Sequence, residues 1–420
     1  LKGRHISGSI AGQTAIQRVL SMISEKMSVM VKNSSITRAM FEEGKRLAAI
    51  YGKENVYDFS LGNPSVQPPV SVKEALIDII SNEDTTFVHG YMNNSGYEDV
   101  REKIATKLNQ VHGTSFHTNN IIMTVGAAGG LNVILKTLIN PGDEVVTFAP
   151  FFGEYKNYAD NYDAKLVVIS PDKETFLPNL KELEEKLTKA TKAIIVNTPN
   201  NPTGVVYSEE TIIELSKVLE KKQQEFGTNI YLISDEPYRE LVYGDVFVPY
   251  ITKYYRNTIV GYSYSKSLSL PGERIGYLVI PTEVDDYEEI FAAASVATRI
   301  LGYVNAPSLI QRVVARCLDS EVDVSVYNEN RELLYGSLKE YGYSCAKPEG
   351  AFYLFVKTLE EDDKAFCEKA KKHNILIVPG SAFGCPGYCR IAYCVSKKTI
   401  EGALPHFKKL YEEYKEAEAK

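Results

Sequence analysis

Tryptophan is absent from this 420-residue chain, and none of its six cysteines sits in a CxxC pair. Without paired spacing a chain of this length reads as reduced, intracellular and cytoplasmic, not as a disulfide scaffold. Cys385, Cys389 and Cys394 lie close together, but the nearby histidines are only His373 and His406. A structural zinc wants four ligands at a recognisable spacing, so no metal is expected. No cluster of basic residues stands out, and the net charge is −7, which argues against a nucleic-acid partner. No apolar run approaches the roughly 18 residues of a membrane helix, so no membrane partner is expected. The strict dinucleotide and P-loop glycine patterns are missing too. Aspartate and glutamate are absent from the first 24 residues, which carry Lys2, Arg4 and Arg18. A transit peptide has that composition, but the plainer expectation is an extension ahead of a start at Met22 or Met27. The lack of tryptophan and the abundance of tyrosine point to no function.

What is there is a large apolar content, 44% of residues, enough for two domains or one large one. Seven short runs are apolar and β-branched: 121–125, 145–149, 165–169, 193–197, 230–234, 258–262 and 276–280. They are continuous, not alternating, as in strands buried on both faces. Helical patterns separate several of them, for example at 131–139, 180–187 and 209–222. Strands alternating with helices predict an α/β fold with a mostly parallel, seven-stranded sheet covered by helices. That block spans 71–300. The rest changes character: 308–340 reads as one long helix or two, 378–380 and 388–393 as strand and turn, and 397–418 as a charged helix. A smaller α+β domain is expected from 34–70 together with 301–420, and residues 1–33 form an N-terminal extension.

Ligands of parallel sheets bind beyond the carboxyl ends of the strands, so the residues following each run deserve the closest reading. After 121–125 comes Gly126-Ala127-Ala128-Gly129-Gly130 and then a helix, whose free N–H groups and dipole suit a phosphate; a tight turn explains the glycines equally well. After 193–197 come Thr198-Pro199-Asn200-Asn201-Pro202-Thr203-Gly204, where the two prolines restrict the backbone and either aim Asn201 at a ligand or only stiffen a turn. After 230–234 comes Asp235-Glu236-Pro237-Tyr238. Its carboxylate could face the ring nitrogen of a pyridine cofactor or cap a helix. The segment 263–276, SYSKSLSLPGERIG, holds Lys266 among serines with Arg274 eight positions on. A lysine amine in a pocket that depresses its pKa becomes a nucleophile, and the serines and arginine could grip a phosphate beside it.

Taken together and in this order, these segments resemble the class I/II aminotransferases, fold type I pyridoxal phosphate enzymes. The resemblance runs from about residue 34 to the end. Ser60-Leu61-Gly62-Asn63-Pro64, Gly90-Tyr91-Met92 with Gly96-Tyr97, and Cys389-Arg390-Ile391-Ala392 also carry it. It implies the cofactor pyridoxal 5′-phosphate, held as a Schiff base by Lys266, which then moves the proton between the substrate Cα and the cofactor. Asp235 pairs with the ring nitrogen, and Tyr238 and Asn201 bond the ring's 3′-oxygen. Ser263, Arg274 and the Gly126-Ala127-Ala128 turn hold the phosphate, with Ser265 as a helper. Phe152 stacks on the ring, with Phe151 its rival. Arg390 clamps the substrate α-carboxylate, assisted by Gly62 and Asn201. Tyr91 matches a tyrosine that reaches the phosphate of the neighbouring subunit, which implies a homodimer with shared sites.

The resemblance implies transfer of an amino group between an L-amino acid and a 2-oxo acid, with aspartate, alanine or an aromatic amino acid as donor and 2-oxoglutarate as acceptor. Dicarboxylate specialists place a second arginine ahead of an Asn-x-Pro segment. Arg299 precedes Asn305-Ala306-Pro307 and fits either that role or a surface helix charge, while Tyr303 suits a neutral or aromatic side chain. Two other readings remain at this stage. One is a fold type I β-lyase acting on cysteine conjugates such as cystathionine. The other is a non-enzymatic effector-binding protein, which would need an added domain that the N-terminal extension is too short to supply.

Overall fold

The structure, a computed structural model, describes residues 23–32 and 36–418. The expectations for residues 1–22 lie outside the described residues. Strand β1 (Tyr57–Asp58) precedes a seven-stranded sheet made of β2 (Ile121–Thr124), β3 (Glu144–Phe148), β4 (Lys165–Ile169), β5 (Thr191–Asn197), β6 (Tyr231–Asp235), β7 (Thr258–Ser263) and β8 (Gly276–Val279). All seven predicted runs are strands; 165–169 coincides with β4, and the others have ends displaced by a residue or two. The order across the sheet is β2-β8-β7-β6-β5-β3-β4. Four neighbouring pairs are parallel, and only β8 runs against its two neighbours, β2 and β7.

Burial explains the continuous apolar pattern. Ile194 and Leu232 face a core with Leu215 and Leu219 of the helix Glu209–Phe226 on one side. Ile195 and Ile233 face Leu131 and Leu135 of the helix Gly126–Leu138 on the other. Local signals set the helix ends. The Ser208 side chain accepts from the Thr211 N–H at the start of Glu209–Phe226, and Gly227 closes it at φ 68°, a left-handed position that glycine takes without steric cost.

The C-terminal part carries an antiparallel sheet of β9 (Tyr353–Lys357), β11 (Val378–Pro379) and β12 (Tyr388–Ala392), in the order β11-β12-β9. A short parallel pair joins β1 to β10 (Ile375–Leu376), so the chain near residue 58 packs with the end of the chain in one core that includes Phe59, Phe352, Ile391 and Phe407. The stretch 308–340 resolves into two helices, Ser308–Val314 and Ser325–Tyr341. The first packs with the large sheet: Ile310, Val313 and Val314 share a core with Ile121 and Tyr277.

β3 leads outward to β4, and the chain then returns to place β5 on the other side of β3. That reversal is a topological switch point, where ligands bind parallel sheets. Among the described residues no helix is long and apolar enough to cross a membrane.

Candidate active site

A cavity of about 960 Å³ opens at this carboxyl edge. Its lining includes Gly62, Ala127, Ala128, Phe152, Asn201, Asp235, Tyr238, Ser263, Ser265, Lys266, Arg274 and Arg390. Twelve of the fourteen residues to which the resemblance gives a cofactor or substrate role therefore meet in one place. The other two are Gly126 and Tyr91. Gly126 starts its helix just behind Arg274, where a Cβ would lie 2.6 Å from Arg274 Nη2. Tyr91 is 93% exposed and is not part of the lining of its own chain's cavity. Phe151 and Phe152 both line the cavity. Arg299 sits exposed on the helix Tyr287–Ile300, away from that lining.

Lys266 lies in the short helix Tyr264–Ser267 that follows β7. Its Nζ donates to the Gly62 carbonyl at 2.6 Å and stands 5.2 Å from the Phe352 ring centre. Burial is the main cause that brings its pKa down from 10.5 to about 8. The Cys394 thiol opposes that shift, and the Arg390 and Arg274 guanidinium groups add to it. A buried ammonium loses hydration that these neighbours do not restore.

Asp235 is the last residue of β6. Its Oδ2 accepts from the Tyr155 hydroxyl at 2.6 Å. Its Oδ1 is buried with no hydrogen-bond partner. Burial raises the carboxyl pKa to about 7, against the pull of the Tyr155 hydrogen bond and with a push from Glu236. A lone buried carboxylate oxygen of this kind calls for a cationic N–H donor.

Arg390, in β12, is 4% exposed. It donates to Asn201 Oδ1 at 3.0 Å and to the Ser60 carbonyl at 2.6 Å. Its Nε is buried and unpartnered, so part of the fork is left over for a planar anion. The guanidinium lies 4.5 Å from the Tyr353 ring centre and 4.8 Å from that of Phe383. Asn201 is itself held by a bond from its N–H to Asn197 Oδ1, 2.7 Å long, and the Tyr238 and Tyr353 hydroxyls are 2.9 Å apart. Ser263 and Ser265 share a 2.7 Å hydroxyl contact near the start of the helix Gly126–Leu138.

Tyr155, Asn197, Tyr353 and Phe383 escaped the sequence reading. For Asn197 a signal existed, since it is the polar residue ending an apolar run at the carboxyl edge. Tyr155 and Tyr353 carry no local mark, because each reaches its partner across long chain separations, 80 residues for Tyr155 and Asp235 and 115 for Tyr353 and Tyr238.

The fold and site together define an α/β enzyme whose cavity brings together a lysine of lowered pKa, a carboxylate with an unpaired oxygen, an arginine fork and a helix start. Residues 54–407 match the family of aminotransferases of class I and II, and the chain belongs to that family. It is 32% identical to an aspartate aminotransferase of Pyrococcus horikoshii, over 93% of this chain and 97% of that one. A solved amino transferase from Eubacterium rectale is 49% identical and superposes with a TM-score of 0.91, covering 94% of this chain and 99% of that one. The aspartate aminotransferase of Thermus thermophilus, solved with maleate, is 25% identical with a TM-score of 0.82, over 93% and 100% of the two chains. Members of the family depend on pyridoxal 5′-phosphate. The residues fit that group: Asp235 Oδ1 lacks a donor, and the place a Cβ would take on Gly126 is filled by the Arg274 fork. The chain is a pyridoxal phosphate-dependent aminotransferase.

Proposed function

We propose that the enzyme transfers the amino group of aspartate to 2-oxoglutarate, using the residues assembled around Lys266. The observation that carries this reading is the meeting, in one cavity, of a buried amine with a lowered pKa, an unpaired buried carboxylate oxygen and an incompletely paired arginine. The choice of aspartate is supported by full-length likeness to relatives named for it.

In this reading Asp235 Oδ1 would accept the N–H of the cofactor ring and keep it cationic. Tyr238 and Asn201 would bond the ring oxygen, and Phe152 would pack on the ring. Arg274, Ser263, Ser265 and the N–H groups of Ala127 and Ala128 hold the phosphate, where a helix start favours an anion. The bound cofactor supplies an electrophilic aldehyde and an electron sink for the carbanion. Arg390 grips the substrate α-carboxylate with its free N–H groups and fixes Cα within reach of Lys266. With a pKa of about 8 about half of the Lys266 amine would be neutral at that pH, so it could take the proton from the substrate Cα and deliver it to the carbon that was the cofactor's aldehyde carbon.

The active unit is a homodimer, in the same proposal, with Tyr91 reaching the partner's phosphate. Its support is the 93% exposure of Tyr91 together with that of Ile77, Ile80 and Phe87 nearby in sequence. Arg299 would then act only across that interface. The same proposal divides the chain into a large domain of 71–317 and a smaller one of 34–70 with 318–420, the boundary expected at 300 moving because Ile310, Val313, Val314 and Cys317 share a core with Ile121 and Tyr277. The six free cysteines support a reducing, cytoplasmic setting.

A panel of amino donors against pyruvate, oxaloacetate and 2-oxoglutarate tests the reading, and aspartate with 2-oxoglutarate should give the highest kcat/KM. Pyruvate and ammonia released from cystathionine without an oxo acid would point instead to a β-lyase. Borohydride should fix the cofactor on Lys266, and Lys266→Ala should abolish the attachment. A tag on another lysine would overturn the assignment.

A further inference from the structure

Tyr353 has no role in the reading above, yet it touches three of the groups that do. Its hydroxyl is 2.9 Å from that of Tyr238, and either oxygen can be the donor. Its ring lies 4.5 Å from the Arg390 guanidinium carbon. A Cβ on Gly62 would come within 1.9 Å of its hydroxyl oxygen, so the Gly62 backbone, which accepts the Lys266 amine, closes the space over the phenol. Tyr353 is 2% exposed, and its ring stands at 82° to that of Tyr238. Little freedom remains for it.

A phenol has one proton. If Tyr238 gives its proton to the cofactor's ring oxygen, the short contact between the two phenols can persist as a hydrogen bond only when Tyr353 is its donor. The direction of the pair is then set. A hydroxyl that accepts a hydrogen bond becomes a stronger donor itself, because bonds in a chain polarise one another. Burial raises the Tyr353 pKa to about 12, against the opposing effect of Arg390, so its proton is in place throughout the working range.

We propose that Tyr353 is a positioning residue for the reaction: its hydroxyl directs the Tyr238 O–H to donate its hydrogen bond to the cofactor's ring oxygen, and its ring supports the Arg390 fork that holds the substrate carboxylate. The proposal rests on the roles given to Tyr238 and Arg390 above. It links the cofactor oxygen to the carboxylate clamp through one side chain. The stronger the bond to the ring oxygen, the more its anionic form is favoured, and the lower the pH at which the bound chromophore loses its proton.

The test is the pH titration of the visible absorbance of the holoenzyme, with steady-state kinetics beside it. Tyr353→Phe should raise the absorbance midpoint by about half a pH unit, the size expected for one weakened neutral hydrogen bond, and leave the KM of the amino donor within about twofold, because the ring stays under Arg390. Tyr353→Leu should raise the same midpoint and also raise KM by about three- to tenfold, through loss of the cation–π contact. Tyr238→Phe should raise the midpoint further, and adding Tyr353→Phe to it should change nothing more, since the relay is already broken. A midpoint unmoved in Tyr353→Phe but raised in Tyr238→Phe overturns the proposal and leaves the Tyr238 assignment standing. A midpoint unmoved in Tyr238→Phe removes the underlying assignment, and the proposal with it. Additive shifts in the double variant would also end it.

Discussion

Asp235 shows at the scale of one residue how a site needed for chemistry costs stability. Its carboxyl pKa is about 7 in the folded protein, against an ordinary 3.8, because it is buried. The folded chain therefore binds more protons than the unfolded one between those values, and stability falls as pH rises through that window. In cofactor-stripped protein Asp235→Asn should relieve this cost: the variant should melt higher than the parent at pH 8, by the equivalent of a few kcal/mol, with the difference shrinking towards pH 4. The same variant should lose most turnover, because a neutral amide cannot hold the ring nitrogen cationic. Equal melting curves at pH 8 would refute the burial argument. Lys266 works in the opposite pH range. Its folded pKa of about 8 lies below the ordinary 10.5, so its cost is fully present below about pH 8 and is relieved as pH rises towards 10.5. Arg390→Ala should raise the amino donor's KM by about a hundredfold, as expected for loss of a buried charged hydrogen-bond pair, with the cofactor's absorbance retained. Loss of that absorbance would place Arg390 on the cofactor instead.

At the scale of elements, the start of the helix Gly126–Leu138 depends on one backbone position. Gly126 has φ 68°, and a Cβ there would press on the Arg274 fork at 2.6 Å. Gly126→Ala should therefore strain the turn and displace the arginine together, weakening cofactor affinity by about tenfold or more. Absorbance titration of the stripped enzyme measures this, and an unchanged Kd would show that the turn and Arg274 are not coupled. The seven strands of the large sheet were legible because both faces are buried and their runs are uniformly apolar. β9 was not read from the sequence, although Phe352-Tyr353-Leu354-Phe355-Val356 is a buried apolar run. β1 and β10 are two residues each, too short for any periodicity to show, and exist because they pair with each other across more than three hundred residues.

The whole molecule as described is one chain, and its most exposed site candidate is Tyr91. The proposed dimer accounts for it. Sedimentation should find a dimer at micromolar concentration, and Tyr91→Phe should loosen the cofactor by about three- to tenfold, the loss of one hydrogen bond to a phosphate, without changing the dimer. A fully active monomer would rule out the shared site. In the same proposal the dimer would also cover Ile77, Ile80 and Phe87, each more than half exposed here.

The sequence by itself determined the large sheet, the lysine, the carboxylate that ends β6 and the arginine of β12, because each lies within a short segment whose burial or turn chemistry is written in neighbouring residues. Only the tertiary structure decided what those groups feel. The lowered amine pKa at Lys266, the unpaired oxygen of Asp235 and the Tyr353 phenol beside Tyr238 all arise where distant segments exclude water together, and no window along the chain contains both partners of such a contact.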